Sequence, residues 1–221
     1  SKMLLTLIND ILDLSKIKSG KMEIVNVSYE TGELFSDIVN MIWIKAREKG
    51  LEFRLHVDPS MPSMLCGDEV RIKQVLINLL NNAVKYTKEG SVTLAVRCER
   101  IGLNRVRVWY SVEDTGQGGK KENIPYIFDA FKRVDEEKNR HIEGTGLGLS
   151  IVRQLVELMG GKISVNSVYM NGSSFLVMLE QDIISDKELG TFTLASRMKV
   201  REGEQYKHSF EAPDAHLLVV D

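Results

Sequence analysis

Apolar residues near the start of the chain recur at Leu4, Leu7, Ile11 and Leu14, spaced three, four and three. The spacing predicts a helix over 3–18 with two heptads of a coiled-coil-like seam, too short to be stable alone; Gly20 punctuates it. Leu34, Ile38, Ile42 and Ile44 predict a second helix over 31–49, stopped at Gly50. "LEFRLHVD" alternates as a strand does, and Pro59 and Pro62 break it before a third helix opens at Asp68. In that helix Ile72, Leu76, Leu79, Leu80, Ala83 and Val84 form a broad arc for a core, and Gly90 ends the run. "SVTLAVRCE" and "RVRVWYSVED" predict a hairpin turning near Gly102 and Asn104. A fourth helix follows over 147–159, closed by Gly160 and Gly161, and "KISVNSVY" with "SSFLVMLEQ" predicts a second hairpin around an Asn171–Gly172 turn. Helices alternate with hairpins rather than with single strands. The predicted fold class is therefore α+β: a two-layer sandwich, with a mixed sheet and helices packed on one face. From Asp182 to Ala212 the chain turns charged and irregular, with "TFTLASRMKV" read as an edge strand, and "APDAHLLVVD" reads as a linker leading into an apolar strand.

The third helix raises a chemical question. Opposite its apolar arc, Arg71, Gln74, Asn78, Asn82 and Lys85 follow one another at steps of three or four and share one narrow stripe. A solvated face is the ordinary reading of such a stripe. Two amides in register are poor helix formers, however, and they suit a site that needs neutral oxygen ligands for a hard cation. Two glycine loops add to the question. "DTGQGG" ends a strand with Asp114, Gly116, Gly118 and Gly119, and its glycines permit turns and close approaches that a Cβ blocks. Alone it is an ordinary Asp-Gly loop. "GTGLGL" places Gly144, Gly146 and Gly148 before a helix, whose free N–H groups and dipole form an anion site. It is neither a Walker A loop nor a dinucleotide fingerprint, since no Gly-Lys-Ser/Thr follows and no strand leads into it. The polar segment over 120–143 between the loops, containing "IPYIFDAFKRV", is long for a structureless connection.

Bulk composition narrows the rest. The chain has 221 residues, 43% hydrophobic and 27% charged, as in an ordinary globular protein, and a formal net charge of -2 gives no global attraction to nucleic acid or anionic membrane. Cys66 and Cys98 are too few for a disulfide framework or a metal site. The longest apolar runs are too short to span a bilayer.

Taken in order, "NLLNNAVKYT", "DTGQG", "IFDAFKRVD" and "GTGLGLSIVRQLVELMGGKISVNS" resemble the asparagine box, first glycine box, phenylalanine box and second glycine box of sensor histidine kinases. The resemblance is to their catalytic, ATP-binding domain, in the superfamily shared with gyrase, heat-shock chaperone and mismatch-repair ATPases, and it runs from about Phe35 to Leu179. It implies a Bergerat-type fold that binds ATP and Mg²⁺. It also implies roles by position. Asn82 coordinates the Mg²⁺; Asn78 stands where hydrolysing relatives carry a base, and an amide cannot deprotonate water, which suits a transferase. Asn78 and Lys85 are thus the candidate catalytic residues. Lys85 and Tyr86 reach phosphate oxygens, Asp114 accepts from the adenine amino group, and Gly116 and Gly118 wrap the base. Gly144, Thr145, Gly146, Leu147 and Gly148 cradle phosphates, with Arg140 a partner from the lid. Ser174 holds a water beside Asp114. The segment over 120–143 is the lid, anchored by Phe128 and Phe131.

On this resemblance residues 1–22 are a remnant second helix of a dimerisation and phosphoacceptor hairpin, 23–182 the catalytic domain, 183–212 a linker and 213–221 the start of a receiver domain. Three features depart from the family pattern. His56, His141, His208 and His216 lack an acceptor setting; Gly119 stands where an apolar residue is usual; and the receiver-like "HLLVVD" stops at Asp221. The expected function is a protein-histidine kinase domain that transfers γ-phosphate to a separate acceptor hairpin for phosphorelay, within the cytosolic part of a hybrid sensor. Its expected partners are that hairpin and a receiver domain or response regulator, not nucleic acid, and by itself the chain is expected to be a monomer or weak dimer. The alternative is a non-catalytic ATP-sensing module that changes partner binding when the lid closes.

Overall fold

The computed structural model describes residues 2–130 and 145–194. Four helices and seven strands follow one another: α1 (Lys2–Lys18), β1 (Val27–Glu30), α2 (Thr31–Glu48), β2 (Glu52–Val57), β3 (Pro62–Gly67), α3 (Glu69–Tyr86), β4 (Ser91–Arg100), β5 (Arg105–Asp114), α4 (Gly148–Leu158), β6 (Lys162–Val168) and β7 (Gly172–Glu188). The strands form one sheet in the order β1-β3-β7-β5-β4-β2, with β6 also paired to β7. Only the β2–β4 pairing is parallel, which makes the sheet mixed, as expected.

Alternation along the central strands builds the core. Val106, Val108, Tyr110 and Val112 of β5, Val92, Leu94 and Val96 of β4, and Phe175, Val177 and Leu179 of β7 are buried. Intervening positions such as Arg107, Trp109 and Glu180 face outward, where Arg107 donates to Glu180 at 2.7 Å. Against the inner face pack the apolar stripes of α2 (Leu34, Phe35, Ile38, Ile42), α3 (Ile72, Val75, Leu76, Leu79, Leu80) and α4 (Ile151, Val152, Leu155, Val156). Burying each such side chain contributes roughly 1.5–3 kcal/mol, so this layer holds the fold together. The helices begin and end as the sequence predicts. Asp68 caps α3 by accepting the Arg71 N–H at 3.0 Å. Gly50 and Gly160, at φ +73 in both cases, end α2 and α4 in Schellman motifs closed by Leu51 N–H to Ala46 O and Gly161 N–H to Val156 O.

Several details differ from expectation. Pro62 does not merely break a strand: it opens β3, a position where the missing N–H costs little. Neither β1 nor β3 shows enough alternation to be read alone. The segment after Asp182, expected to be a linker, continues β7 to Glu188 because β3 pairs with it there, Cys66 opposite Asp182 and Pro62 opposite Glu188. The β6–β7 connection is not a two-residue Asn-Gly turn, since Val168 pairs with Gly172 and Tyr169, Met170 and Asn171 form the loop, with Met170 at φ 65. Within "TFTLASRMKV" the described part, 191–194, is not strand; Phe192 is buried edge-on against Phe35, ring centres 6.0 Å apart. The remainder of that segment and "HLLVVD" lie outside the described residues.

Candidate functional site

The polar stripe of α3 has two fates. At its N-terminal half, Gln74 Nε2 donates to Asp13 Oδ2 of α1 at 2.7 Å, and Arg71 donates to Gln74 Oε1 at 2.8 Å while lying 3.9 Å from the other Asp13 oxygen. At the C-terminal half, half-buried Asn78 and Asn82 have no side-chain partner among the described residues. Lys85 places its ammonium 4.6 Å from the ring centre of Tyr86, a cation–π contact. The neighbouring Asn81 is spent differently, accepting from Lys45 at 2.7 Å.

The first glycine loop is built onto the end of this helix. Gln117 N–H donates to Tyr86 O at 3.3 Å, and a Cβ at Gly116 would lie 2.5 Å from that same carbonyl. On its other side the loop meets the β6–β7 connection: Met170 N–H donates to Gln117 O at 2.7 Å, and Gly119 N–H donates to Ser167 Oγ at 2.8 Å. Gly118, at φ +57, has no room for a side chain against the Val168 carbonyl. Gly119 is different. It has no positive φ, and a Cβ there would meet only Ser167 Oγ at 3.6 Å and Ile124 at 4.0 Å, ordinary contact distances. Asp114, at the end of β5, accepts the Gly116 amide at 2.9 Å and the Ser173 amide. Burial pushes its carboxyl above the ordinary value, and the two amides pull it back only in part.

The strand register corrects the expectation for Ser174. Ser173 is the residue opposite Asp114, whereas Ser174 pairs with Glu113 and so points to the other face of the sheet. Ser173 also shares a 2.8 Å hydrogen bond with the buried Ser167 hydroxyl. Sequence reasoning missed both serines, because "KISVNSV" and "SSF" carry no local mark of which hydroxyl faces the loop.

The second glycine loop is described from Thr145 onward; Gly144 and Arg140 lie outside the described residues, as does Phe131. Thr145 Oγ1 accepts the Leu147 N–H at 3.2 Å and donates to Asp10 Oδ2 of α1 at 2.8 Å. Leu147 is fully buried. Gly146 turns at φ 72, and Gly148, the first residue of α4, has open space where a Cβ would project. Asp10 feels burial, which raises its carboxyl, the Thr145 hydroxyl, which lowers it, and Asp13, which raises it again; the net shift is upward. Phe128, expected as an anchor, packs edge-on against core Phe175 with ring centres 6.2 Å apart.

The glycine loops are thus joined to one helix. Tyr86 at the end of α3 holds the first, and α1 connects the second to Gln74, one turn before Asn78. Among the described residues no group of three His, Cys, Asp or Glu side chains is placed to hold a metal alone, and no helix is long and apolar enough to cross a membrane. A cavity of about 330 Å³ lies elsewhere, beneath the segment around Ile24 and between β3, β7 and the ends of α3 and α4. Three of its polar side chains are already used: Asp68 caps α3, Glu180 pairs with Arg107, and Gln181 bridges Tyr29 and Tyr110.

A four-helix, mixed-sheet domain with these loops around one polar helix end is the arrangement of a known family. The chain belongs to the histidine kinase-, DNA gyrase B- and HSP90-like ATPase family, whose sequence model matches residues 67–183. Its relatives include hybrid signal transduction histidine kinase B of Dictyostelium discoideum, 39% identical over 172 residues, which cover 78% of this chain but 9% of that protein. The sensor protein GacS of Pseudomonas syringae pv. syringae is 37% identical over 177 residues, 80% of this chain and 20% of that protein. The chain therefore spans a fifth or less of the length of these relatives. Among solved structures, full-length ShkA in complex with AMPPNP aligns with a TM-score of 0.70 and 31% identity over 82% of this chain and 36% of that one. The nucleotide-free catalytic domain of histidine kinase ThkA aligns with a TM-score of 0.55 and 27% identity over 72% of this chain and 99% of that one.

Proposed function

We propose that this chain binds Mg²⁺–ATP between the C-terminal half of α3 and the two glycine loops, and that it transfers the γ-phosphate to a histidine on a separate acceptor hairpin. The observation that carries the reading is the pairing of Asn78 and Asn82, whose amides have no hydrogen-bond partner among the described residues, with a half-buried carboxylate at Asp114, joined through the end of α3. Neutral oxygens fit a cation that arrives already bound to phosphates, since no acidic cluster among the described residues would hold it first. When bound, the metal neutralises developing phosphate charge. The chain's own residues do the rest. Asn82 offers the oxygen for the ion. Lys85 supplies a point charge and Tyr86 a hydroxyl for the phosphates. Asp114 accepts from an exocyclic adenine amino group, which guanine cannot offer at that position. Gly116 and Gly118 bring backbone against the base, and Thr145, Gly146, Leu147 and Gly148, with Gly144 and Arg140, serve the phosphates. Asn78 cannot take a proton from water, so the γ-phosphate is held for transfer rather than hydrolysed. Ser173, in place of Ser174, is the hydroxyl beside Asp114.

The proposed partners are an acceptor hairpin and a receiver domain. The hairpin would share the apolar side of α1, where Leu4, Leu5, Ile8, Ile11 and Leu12 are exposed. A domain that consumes ATP would work in the cytosol. The test is calorimetry of ATP with and without Mg²⁺, followed by transfer of a γ-label to a separately supplied hairpin. Mg²⁺-dependent ATP binding, weak to moderate, and an acid-labile label on the hairpin are expected. Absence of nucleotide binding by the parent chain would falsify the assignment.

A further inference from the structure

Helix α1 reaches the proposed nucleotide site with two acids one turn apart. Asp10 accepts the Thr145 hydroxyl at 2.8 Å, and Asp13 accepts Gln74 Nε2 at 2.7 Å, with Arg71 3.9 Å from its other oxygen. Thr145 is not a bystander, because its oxygen accepts the Leu147 N–H at the opening of α4. In this arrangement the hydroxyl proton points away from the loop toward α1, and an amide of the helix N-terminus is already engaged. A carboxylate therefore stands where the second glycine loop would receive negative charge.

The rest of α1 is lightly held. Leu14 is buried, and Leu7 and Ile17 pack partly on the core, while the remaining large apolar side chains described on the helix are exposed. A helix fixed by three apolar side chains and two acids can be moved. Asp10 is also poorly placed to tolerate more negative charge, since burial and Asp13 already disfavour its ionised form.

We propose that α1 is an intramolecular antagonist of nucleotide, so that docking of Asp10 on Thr145 and occupancy of the second glycine loop by a polyphosphate compete. The inference rests on the reading of that loop as the phosphate site. Its consequence is reciprocal: displacing α1 strengthens ATP binding, and ATP loosens α1 by the same factor. Any partner that repositions α1, an acceptor hairpin included, would then regulate nucleotide affinity through Asp10. The competition acts on phosphates and not on the base, because Asp114 and the first glycine loop make no contact with α1 among the hydrogen bonds and ion pairs described.

The experiment compares the 221-residue chain with its Asp10→Asn and Asp13→Asn variants, using calorimetry with Mg²⁺–ATP and with adenosine. Asp10→Asn keeps the size of the side chain and removes its charge. It should tighten Mg²⁺–ATP about tenfold, within the usual range for coupled sites, and leave adenosine unchanged. Asp13→Asn weakens the same docking without touching Thr145, so it should tighten Mg²⁺–ATP by a smaller factor. Hydrogen exchange over α1 should accelerate when ATP is added to the parent. Unchanged or weaker ATP binding in both variants, with the parent binding ATP normally, overturns the antagonism and leaves the functional reading standing. Equal tightening of adenosine overturns it as well, since the effect would not be on phosphates. No ATP binding by parent or variants overturns both.

Discussion

The two halves of the α3 stripe differ only in what meets them. Arg71 and Gln74 sit in the same line as Asn78, Asn82 and Lys85, yet the first pair is spent on Asp13 of α1 while the two asparagines have no side-chain hydrogen-bond partner among the described residues. The N-terminal half therefore holds a neighbouring helix, and the C-terminal half is available to a ligand. Helical spacing decides which side chains share a line. Whether that line is structure or site depends on which element lies across from each turn.

Substitutions in and around the two halves should separate them by sign. The largest effect belongs to Asp114→Asn, which replaces the proposed acceptor for the base by a group that also carries donors; ATP affinity should fall about a hundredfold, as for other sites built around one polar contact. Its stability should move the other way. A carboxyl whose folded value is raised contributes stability below its unfolded value and loses it as the pH rises through the folded value. The unliganded variant should thus melt no lower than the parent at neutral pH, and calorimetry with thermal melts reads both quantities. Next comes Asn82→Ala, with a loss of roughly thirtyfold in Mg²⁺–ATP affinity, about 2 kcal/mol, and near-equal binding with and without Mg²⁺. Because Asn82 has no side-chain hydrogen-bond partner among the described residues, the melting temperature should hold.

Gln74→Ala should invert that pattern. It removes the hydrogen bond to Asp13, costing about 1 kcal/mol of stability, and by loosening α1 it should raise ATP affinity slightly. Lower ATP affinity with an unchanged melting temperature would mean that Gln74 belongs to the site after all. The smallest effect is expected at Gly119. With no positive φ and ordinary space for a Cβ, Gly119→Ala should stabilise the chain by about 0.4–1 kcal/mol, chiefly through the unfolded state. A clear drop in melting temperature would show that the glycine is needed for the loop itself.

Much of this arrangement was legible in the chain. The ends of α2 and α4 at Gly50 and Gly160, the Asp68 cap and the hairpin of β4 and β5 each rest on a few neighbouring residues, so local pattern was enough to place them. What could not be read was pairing at a distance. β3 became a strand only because β1 and the far end of β7 flank it, and the same contact turned 183–188 from a linker into the end of a long strand. The choice of Ser173 over Ser174 depends on a register of one residue between β5 and β7, and a slip of one reverses every side chain.

The sequence by itself determined the class of sheet and helices, the line of polar side chains on α3 and the two glycine loops, because each follows from a periodicity or a backbone freedom contained within a few residues. The tertiary structure decided which turns of that line were already spent, which serine stood beside Asp114, and that the acids of α1 closed on Thr145 and Gln74. Those outcomes depend on pairs of groups far apart in the chain, such as Asp10 and Thr145. No local propensity encodes them; strand register and helix packing bring them together.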